Sequence, residues 1–575
     1  MTTERVQDAV VGLALIAVGL LLVLRPFGST VLVALGIALA LIAAAAGAAL
    51  QAHRGGGPIA YAGAAALAVT GVVLLVWPGL SIFAIAVVAG VGLIVWGVSR
   101  LVSAARGGPA ADRVADALLG VAAIALTVAA LAWPGVTVFA ATFVAGVALL
   151  WMGLARLYRA LRGRTEGPAR THRAVRLTAA ILAVAVAVPL AVLSVGLHRG
   201  AGEQPGPFYS ADPPAGTSPG TLLRTERFDR GLPAGAQGWR ILYTTTRDEG
   251  VPALASALVV APETPQAGPR PVIAWAHGTT GIARDCAPTL LPDPLGAGAT
   301  PGVPQLLDSG AVLVATDYLG MGTAGPSPYL IGQGEGRSVL DSVRAARQMR
   351  ELTLAPDTVV WGHSQGGHAA LWAGILAPAY APDARVIGVA ALAPASELTA
   401  LARGLTSMAG GDLLAAYVLK AYSQTYPDVR FDDYVKVQAR LPMQAMAARC
   451  LADPAVRVSV IEALLIGDGA YATDPTSGPL GRRLTANTPS ASLAMPALLA
   501  QGDDDQVIDP AAQRTFVQAQ CAAGTLLDFR QYPGRDHLSL VAADSPAVAD
   551  LLTWTRARLA SEPATGTCPV PQPAH

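Results

Sequence analysis

Two rhythms of hydrophobic and polar residues divide this chain. Up to about residue 200, apolar residues run almost unbroken over 9–24, 29–50, 58–76, 80–98, 117–132, 136–155 and 177–197. Each run is close to the ~20 residues that an α-helix needs to cross a bilayer, so the pattern predicts about seven membrane helices. From about residue 220 onward, short apolar runs of strand length alternate with helical stretches. Strands are expected at 241–247, 253–261, 271–276, 311–317, 358–361, 386–392, 497–501 and 527–532, and helices near 339–352, 367–376 and 546–559. The last helix carries its own start signal, Ser545 as cap and Pro546 at the first position. Strand–helix alternation predicts a mostly parallel sheet covered by helices on both faces. Between the two halves, residues 198–220 are rich in Gly, Pro and Ser and read as a linker.

The first half repeats itself. Trp77-Pro78-Gly79 recurs as Trp133-Pro134-Gly135, with Arg25-Pro26-Phe27-Gly28 in the matching place of a weaker first copy. Ala89-Gly90-Val91 matches Ala145-Gly146-Val147, and Gly97-Val98-Ser99-Arg100-Leu101 matches Gly153-Leu154-Ala155-Arg156-Leu157, always 56 residues apart. Each repeat reads as a helical hairpin with a Pro-Gly turn. Gly90, Gly97, Gly146 and Gly153 are placed to let helices approach closely. Residues 8–160 resemble the HdeD-like short-repeat membrane family. Arginine gives the orientation: the connections after the second, fourth and sixth helices carry Arg54, then Arg100, Arg106 and Arg113, then a run from Arg156 to Arg176. The Pro-Gly turns carry only Arg25. The positive-inside rule puts the arginine-rich loops and the N-terminus in the cytoplasm, and everything from His198 outside it. No ionisable residue sits mid-span, so a proton or ion pathway has no support and an anchor or scaffold is expected.

Composition adds two constraints. With 575 residues and a formal net charge of +1, the chain is long enough for two or more domains and offers nothing to attract nucleic acid. Its four cysteines, Cys286, Cys450, Cys521 and Cys568, all lie in the half predicted to face an oxidising compartment.

The chemistry is concentrated after residue 270. Trp361-Gly362-His363-Ser364-Gln365-Gly366-Gly367 follows a β-rich run and precedes an alanine-rich helical one. Strand, G-x-S-x-G and helix together fit the nucleophile elbow of α/β-hydrolases, in which a serine sits on a strained turn between two close-packed elements. A serine hydroxyl needs a base, and the base needs an acid to orient it. The order expected after the serine is acid, then histidine. His537, in a loop just after the last expected strand, stands where the base belongs, whereas His368 lies within the following helix and His575 at the end of the chain. In Gly502-Asp503-Asp504-Asp505-Gln506-Val507-Ile508 the acid is assigned to Asp505, with Asp503 and Asp504 as alternatives. A metal at this acidic run is not expected, because a hard cation wants ligands on alternating positions of a shaped loop. Oxyanion donors are expected from the backbone N–H of Gln365 and from the loop His277-Gly278-Thr279-Thr280-Gly281, at Thr280 or its neighbour Thr279.

Residues 205–570 resemble the secretory lipase family of lipase A type. The carriers are the His277–Gly281 loop with Asp285-Cys286-Ala287-Pro288, the stretch Ala315-Thr316-Asp317-Tyr318-Leu319-Gly320-Met321-Gly322, the Ser364 motif and the Asp505 and His537 loops. The resemblance implies cofactor-free hydrolysis of carboxylic esters, often lipid acyl esters. It also implies a disulfide from Cys286 to the lid, hence Cys286–Cys450 with Cys521–Cys568 left over. The chain departs from the family in having a membrane region in place of a secretion signal, which argues against free secretion. The expected division is a transmembrane region over 1–197, a linker over 198–220, an α/β-hydrolase domain over 221–560 with a helical cap at about 397–490, and a tail over 561–575. The cap is expected to include helical stretches at 413–422 and 435–448. Tyr318 is placed either to line an acyl site or to form a structural turn. The expected function is ester hydrolysis on the extracytoplasmic side, with two rivals: acyl transfer to an envelope lipid or glycan by the same triad, and a non-enzymatic membrane module. Oligomeric state is not readable from the sequence.

Overall fold

The computed structural model describes residues 3–24, 78–107, 109–162, 170–199, 203–213, 216–408, 410–466 and 470–568, with isolated positions between 42 and 72. The chain divides into two compact units, Met1–Arg199 with Lys436–Pro442, and Gly200–Val435 with Met443–His575.

Among the described residues up to Arg199 the first unit has five helices: α1 (Thr3–Leu24), α2 (Pro78–Ala105), α3 (Ala110–Ala132), α4 (Pro134–Arg162) and α5 (Arg170–Arg199). They coincide with five of the expected spans. Those at 29–50 and 58–76 fall outside the described residues apart from isolated positions. Among the described residues one stretch, Leu177–Val195, meets the length and hydropathy needed to cross a membrane. Pro134 is the first residue of α4 and does not stand in a separate turn, because a missing N–H is harmless at that position. The single residue between α3 and α4 is Trp133, whose indole N–H donates to Ser194 Oγ at 2.8 Å.

The repeated glycines sit at helix crossings. A methyl group at Gly153 would lie 2.7 Å from the Gly12 carbonyl, and one at Gly97 would lie 3.0 Å from that of Gly120. Residues in equivalent places of the two repeats thus bring α4 against α1 and α2 against α3, where the small side chain lets the backbones approach closely.

In the second unit, nine strands form one sheet in the order β1-β2-β3-β5-β4-β6-β7-β8-β9. The strands are β1 (Leu222–Arg227), β2 (Ala236–Thr246), β3 (Pro252–Pro262), β4 (Arg270–Ala276), β5 (Val312–Leu319), β6 (Leu354–His363), β7 (Val386–Leu392), β8 (Ala497–Gly502) and β9 (Leu527–Tyr532). Strands β1, β2, β3 and β5 pair antiparallel, and every pairing from β5 through β4 to β9 is parallel. The alternation of the pleat divides the core between the two faces. Val272, Ala274 and Ala276 of β4 point into one core layer, and Ile273 and Trp275 into the other. Burial on both faces explains why the central strands read as unbroken apolar runs.

Strand β1 was not expected. It is a half-exposed edge strand carrying Arg224, Glu226 and Arg227, with no apolar face to reveal it. Helix α6 (Gly332–Ala346) begins seven residues before its expected start. Its opening glycines resemble a loop in sequence, yet a side chain at Gly332 would overlap the Trp372 indole, so they permit close packing on α7 (Gln365–Tyr380). Between β7 and β8 stand the helices Leu398–Leu405, Gly411–Thr425, Phe431–Tyr434, Val437–Ala447, Val456–Ile466 and Gly478–Asn487, in the segment assigned to the cap. Ser545 caps the last helix by accepting from Ala547 N–H at 3.3 Å.

Candidate active site

The loops that follow β4, β6, β8 and β9 bear the four elements singled out in the sequence, and all leave the carboxyl ends of parallel strands, where open α/β sheets place their ligands. Between β6 and α7 stands Ser364 alone, with φ 59° and ψ −119°. Such a backbone angle at a non-glycine residue stores roughly 1–3 kcal/mol and persists only where the surroundings impose it. Here they do. A side-chain carbon at Gly362 would overlap the Gly366 carbonyl, and one at Gly366 would overlap the Ala276 carbonyl. The two glycines of the motif therefore allow strand and helix to meet at the angle that lifts Ser364 out of the fold.

His537 Nε2 lies 2.8 Å from Ser364 Oγ, and His537 Nδ1 lies 2.8 Å from Asp505 Oδ2. Asp505 is held in turn. Its Oδ1 accepts from the backbone N–H groups of Val507 and Ile508, both at 2.8 Å, and Gln501 Nε2 donates to Oδ2 at 3.1 Å. Burial alone would raise the Asp505 carboxyl, but the bond and charge of His537 and the two backbone donors outweigh it and hold the group below the usual carboxylate range. The neighbouring carboxylates diverge: Asp503 accepts from Gln531, and Asp536 accepts from the Leu538 and Ser539 N–H groups. Among the described residues the one grouping of metal-ligand type, Asp285 with Cys286 and Cys450, has its two sulfurs tied to each other.

Three further residues bound the site. His363 was not singled out in the sequence, since its role depends on a residue 174 positions away. Its Nε2–H donates to the His537 carbonyl at 2.9 Å, and the two imidazoles stand 4.8 Å apart. Burial, followed by the nearby His537, pushes the His363 imidazole down to about 3, so it is neutral. Burial likewise lowers His277 to about 4. Tyr318 is the structural alternative of the two anticipated for it: fully buried at φ 63°, it donates its hydroxyl to the His277 carbonyl at 3.0 Å.

Gln365 is the first residue of α7, so its N–H has no intrahelical acceptor. In the loop after β4, the two threonines point differently. Thr280 is buried, donates its hydroxyl to the Cys286 carbonyl at 2.9 Å and accepts from Leu451 N–H. Thr279, not Thr280, lines the cavity onto which Ser364 opens, because the turn alternates the two residues between cavity and core. That cavity holds about 640 Å³, within the range of small-molecule sites. Ser364, His537 and His363 line it together with the apolar side chains of Leu413, Leu414, Leu451, Val460, Val507 and Leu538. Two disulfides, Cys286–Cys450 and Cys521–Cys568, pair the cysteines as the resemblance implied. The first ties the loop before β5 to the segment that carries Leu451.

The Secretory lipase family matches residues 300–567, and the Short repeat of unknown function (DUF308) matches residues 62–115 and 118–192. Lipase 6 of Candida albicans is 26% identical over 281 residues, which is 46% of this chain and 58% of that protein. Lipase A of Moesziomyces aphidis is 24% identical over 305 residues, 49% of this chain and 64% of that protein. The chain thus spans about three-fifths of the length of these curated relatives. The X-ray structure of Candida antarctica lipase A superposes with a TM-score of 0.54 at 20% identity, over 64% of this chain and 89% of that one. The second unit therefore has the lipase-like α/β-hydrolase fold, and its residues 300–567 match the secretory lipases.

Proposed function

We propose that the second unit is a serine hydrolase of carboxylic esters, tethered outside the cytoplasm by a multi-pass membrane region with a cytoplasmic N-terminus. The observation that carries this reading is the continuous chain Ser364 Oγ, His537, Asp505, with 2.8 Å at both steps, opening onto an apolar-walled cavity. The match to secretory lipases supports the ester as substrate class. Two disulfides support an oxidising compartment. The short-repeat match and the apolar stretch Leu177–Val195 support the membrane tether.

The steps follow from the geometry. His537 Nδ1–H is held by ionised Asp505, which leaves Nε2 free to take the proton of Ser364 as Oγ attacks the ester carbonyl. The oxyanion that forms is met by the N–H groups of Gln365, at a helix N-terminus, and of Thr279. The imidazolium returns its proton to the leaving alkoxide. Water then repeats the sequence on the acyl-enzyme and releases the acid. Nothing in this sequence calls for a cofactor.

The test is hydrolysis of a chromogenic ester series from two to sixteen carbons by the full chain in detergent. Turnover abolished by Ser364→Ala, with an optimum among the longer chains, is the expected result. Equal turnover by wild type and variant sinks the reading.

A further inference from the structure

One helical turn beyond Ser364, on the buried side of α7, is a second carboxylate–imidazole pair that the steps above do not use. Glu335, in the first turn of α6, and His368 are both fully buried. The Glu335 carboxylate accepts three bonds. Leu330 N–H and Gln365 Nε2 donate to Oε1 at 2.9 and 2.8 Å, and His368 Nδ1 meets Oε2 at 2.6 Å. The other ring nitrogen of His368 lies 2.8 Å from the Asn487 carbonyl oxygen, which also accepts the Trp372 indole N–H.

His368 therefore faces an acceptor at each nitrogen, whereas a neutral imidazole has one N–H. At 2.6 Å the contact of His368 with Glu335 is short for a nitrogen–oxygen hydrogen bond. The backbones are built for this proximity: a side chain at Gly336 would lie 2.9 Å from Ala373 N, so α6 and α7 touch main chain to main chain. Asn487, the last residue of the helix Gly478–Asn487, closes the cluster by accepting Gly332 N–H on its side-chain oxygen at 2.9 Å.

We propose that Glu335 is the positioning residue of the oxyanion hole. Braced by His368, it grips the Gln365 side chain and so fixes the direction of the Gln365 backbone N–H. A first helical residue is held by the helix from one side only, and this tether supplies the restraint from the other. The inference rests on the assignment of the Gln365 N–H as an oxyanion donor made above.

The experiment compares wild type, Glu335→Leu and Gln365→Met as full chains in detergent, with active sites counted by exhaustive fluorophosphonate labelling. Glu335→Leu removes the acceptor that holds Gln365, and Gln365→Met removes the tether but leaves the Glu335–His368 pair intact, so it decides the matter should Glu335→Leu not fold. The expected result is a fall in kcat of about 10- to 100-fold per active site, with KM within about twofold, as for a group that acts only in the transition state. An alkyl boronic acid, whose tetrahedral adduct occupies the oxyanion hole, weakens in parallel. A lower melting temperature with unchanged kcat and boronate affinity overturns the inference and leaves Glu335 a packing residue. A wild-type chain that takes no fluorophosphonate label overturns the reading beneath it instead.

Discussion

Exchanging Asp505 for Asn is the sharpest probe of how the acid works, because the side chain keeps its shape and loses one acceptor. Oδ1 accepts from two backbone N–H groups, and Oδ2 faces two donors, His537 Nδ1 and Gln501 Nε2. An asparagine has only one oxygen to offer. If that oxygen keeps the backbone bonds, the amide NH₂ faces Gln501 Nε2, which retains the Gly502 and Ile508 carbonyls as acceptors, and His537, whose Nδ1 must then accept. The ring proton moves to Nε2 and points at Ser364, the tautomer that cannot act as a base. If the amide turns over, its NH₂ opposes two buried backbone donors, at about 1–3 kcal/mol for each group left unsatisfied. The first placement is therefore favoured, and it is the inactive one. Loss of the productive tautomer in an otherwise intact triad reduces kcat by about 10⁴-fold, a magnitude known from the trypsin-type triad, or roughly 5 kcal/mol of transition-state stabilisation. The assay is kcat for a short chromogenic ester at neutral pH, beside a melting curve that verifies folding. An Asp505→Asn protein that folds and keeps kcat within tenfold of wild type refutes the assignment.

Other consequences can be measured independently. His277 and His363 are lowered to about 4 and about 3 in the fold, against about 6.5 in an unfolded chain. Their contribution is thus complete above pH 6.5 and is lost as pH falls towards the folded values, each adding up to about 1.4 kcal/mol per pH unit to the slope. His363→Asn should remove one proton's worth of that slope in denaturant midpoints between pH 6.5 and 5, and an unchanged slope contradicts the burial argument. Replacing Cys286 and Cys450 together by Ser, which opens a link across 164 positions, should lower stability by about 2–4 kcal/mol in thermal melts. In the first unit, Gly153→Val drives a side chain into the Gly12 carbonyl and Ile16. Hydrogen exchange should report lost protection in α1 and α4, and undisturbed protection there speaks against the close crossing.

How much was legible depended on whether a signal was local. The Ser364 motif declared itself because each of its glycines is demanded by a neighbour within a few residues or on the adjoining strand. His537 and Asp505, which the structure brings beside Ser364, could be singled out because each follows a strand with a clear apolar run. Strand β7 was read to the residue for the same reason. What the sequence concealed was contact at long range. His363 acts on a carbonyl 174 residues away, and the Glu335 cluster joins α6, α7 and the end of the helix Gly478–Asn487. At His368, one position cannot show that acceptors flank both its nitrogens. Which of Thr279 and Thr280 lines the cavity turns on the path of a single loop, which composition does not encode. The glycine-rich start of α6 read as a loop because its reason, the Trp372 indole, lies on another helix.

The central claim is that Ser364 is a nucleophile activated by His537. Its most direct test is to label the full chain with a fluorophosphonate and locate the adduct by mass spectrometry of the peptide containing residues 361–367. The account predicts one adduct per chain, on Ser364, abolished in Ser364→Ala and greatly slowed in His537→Ala. A folded wild-type chain that acquires no adduct, or carries it on another serine, contradicts it.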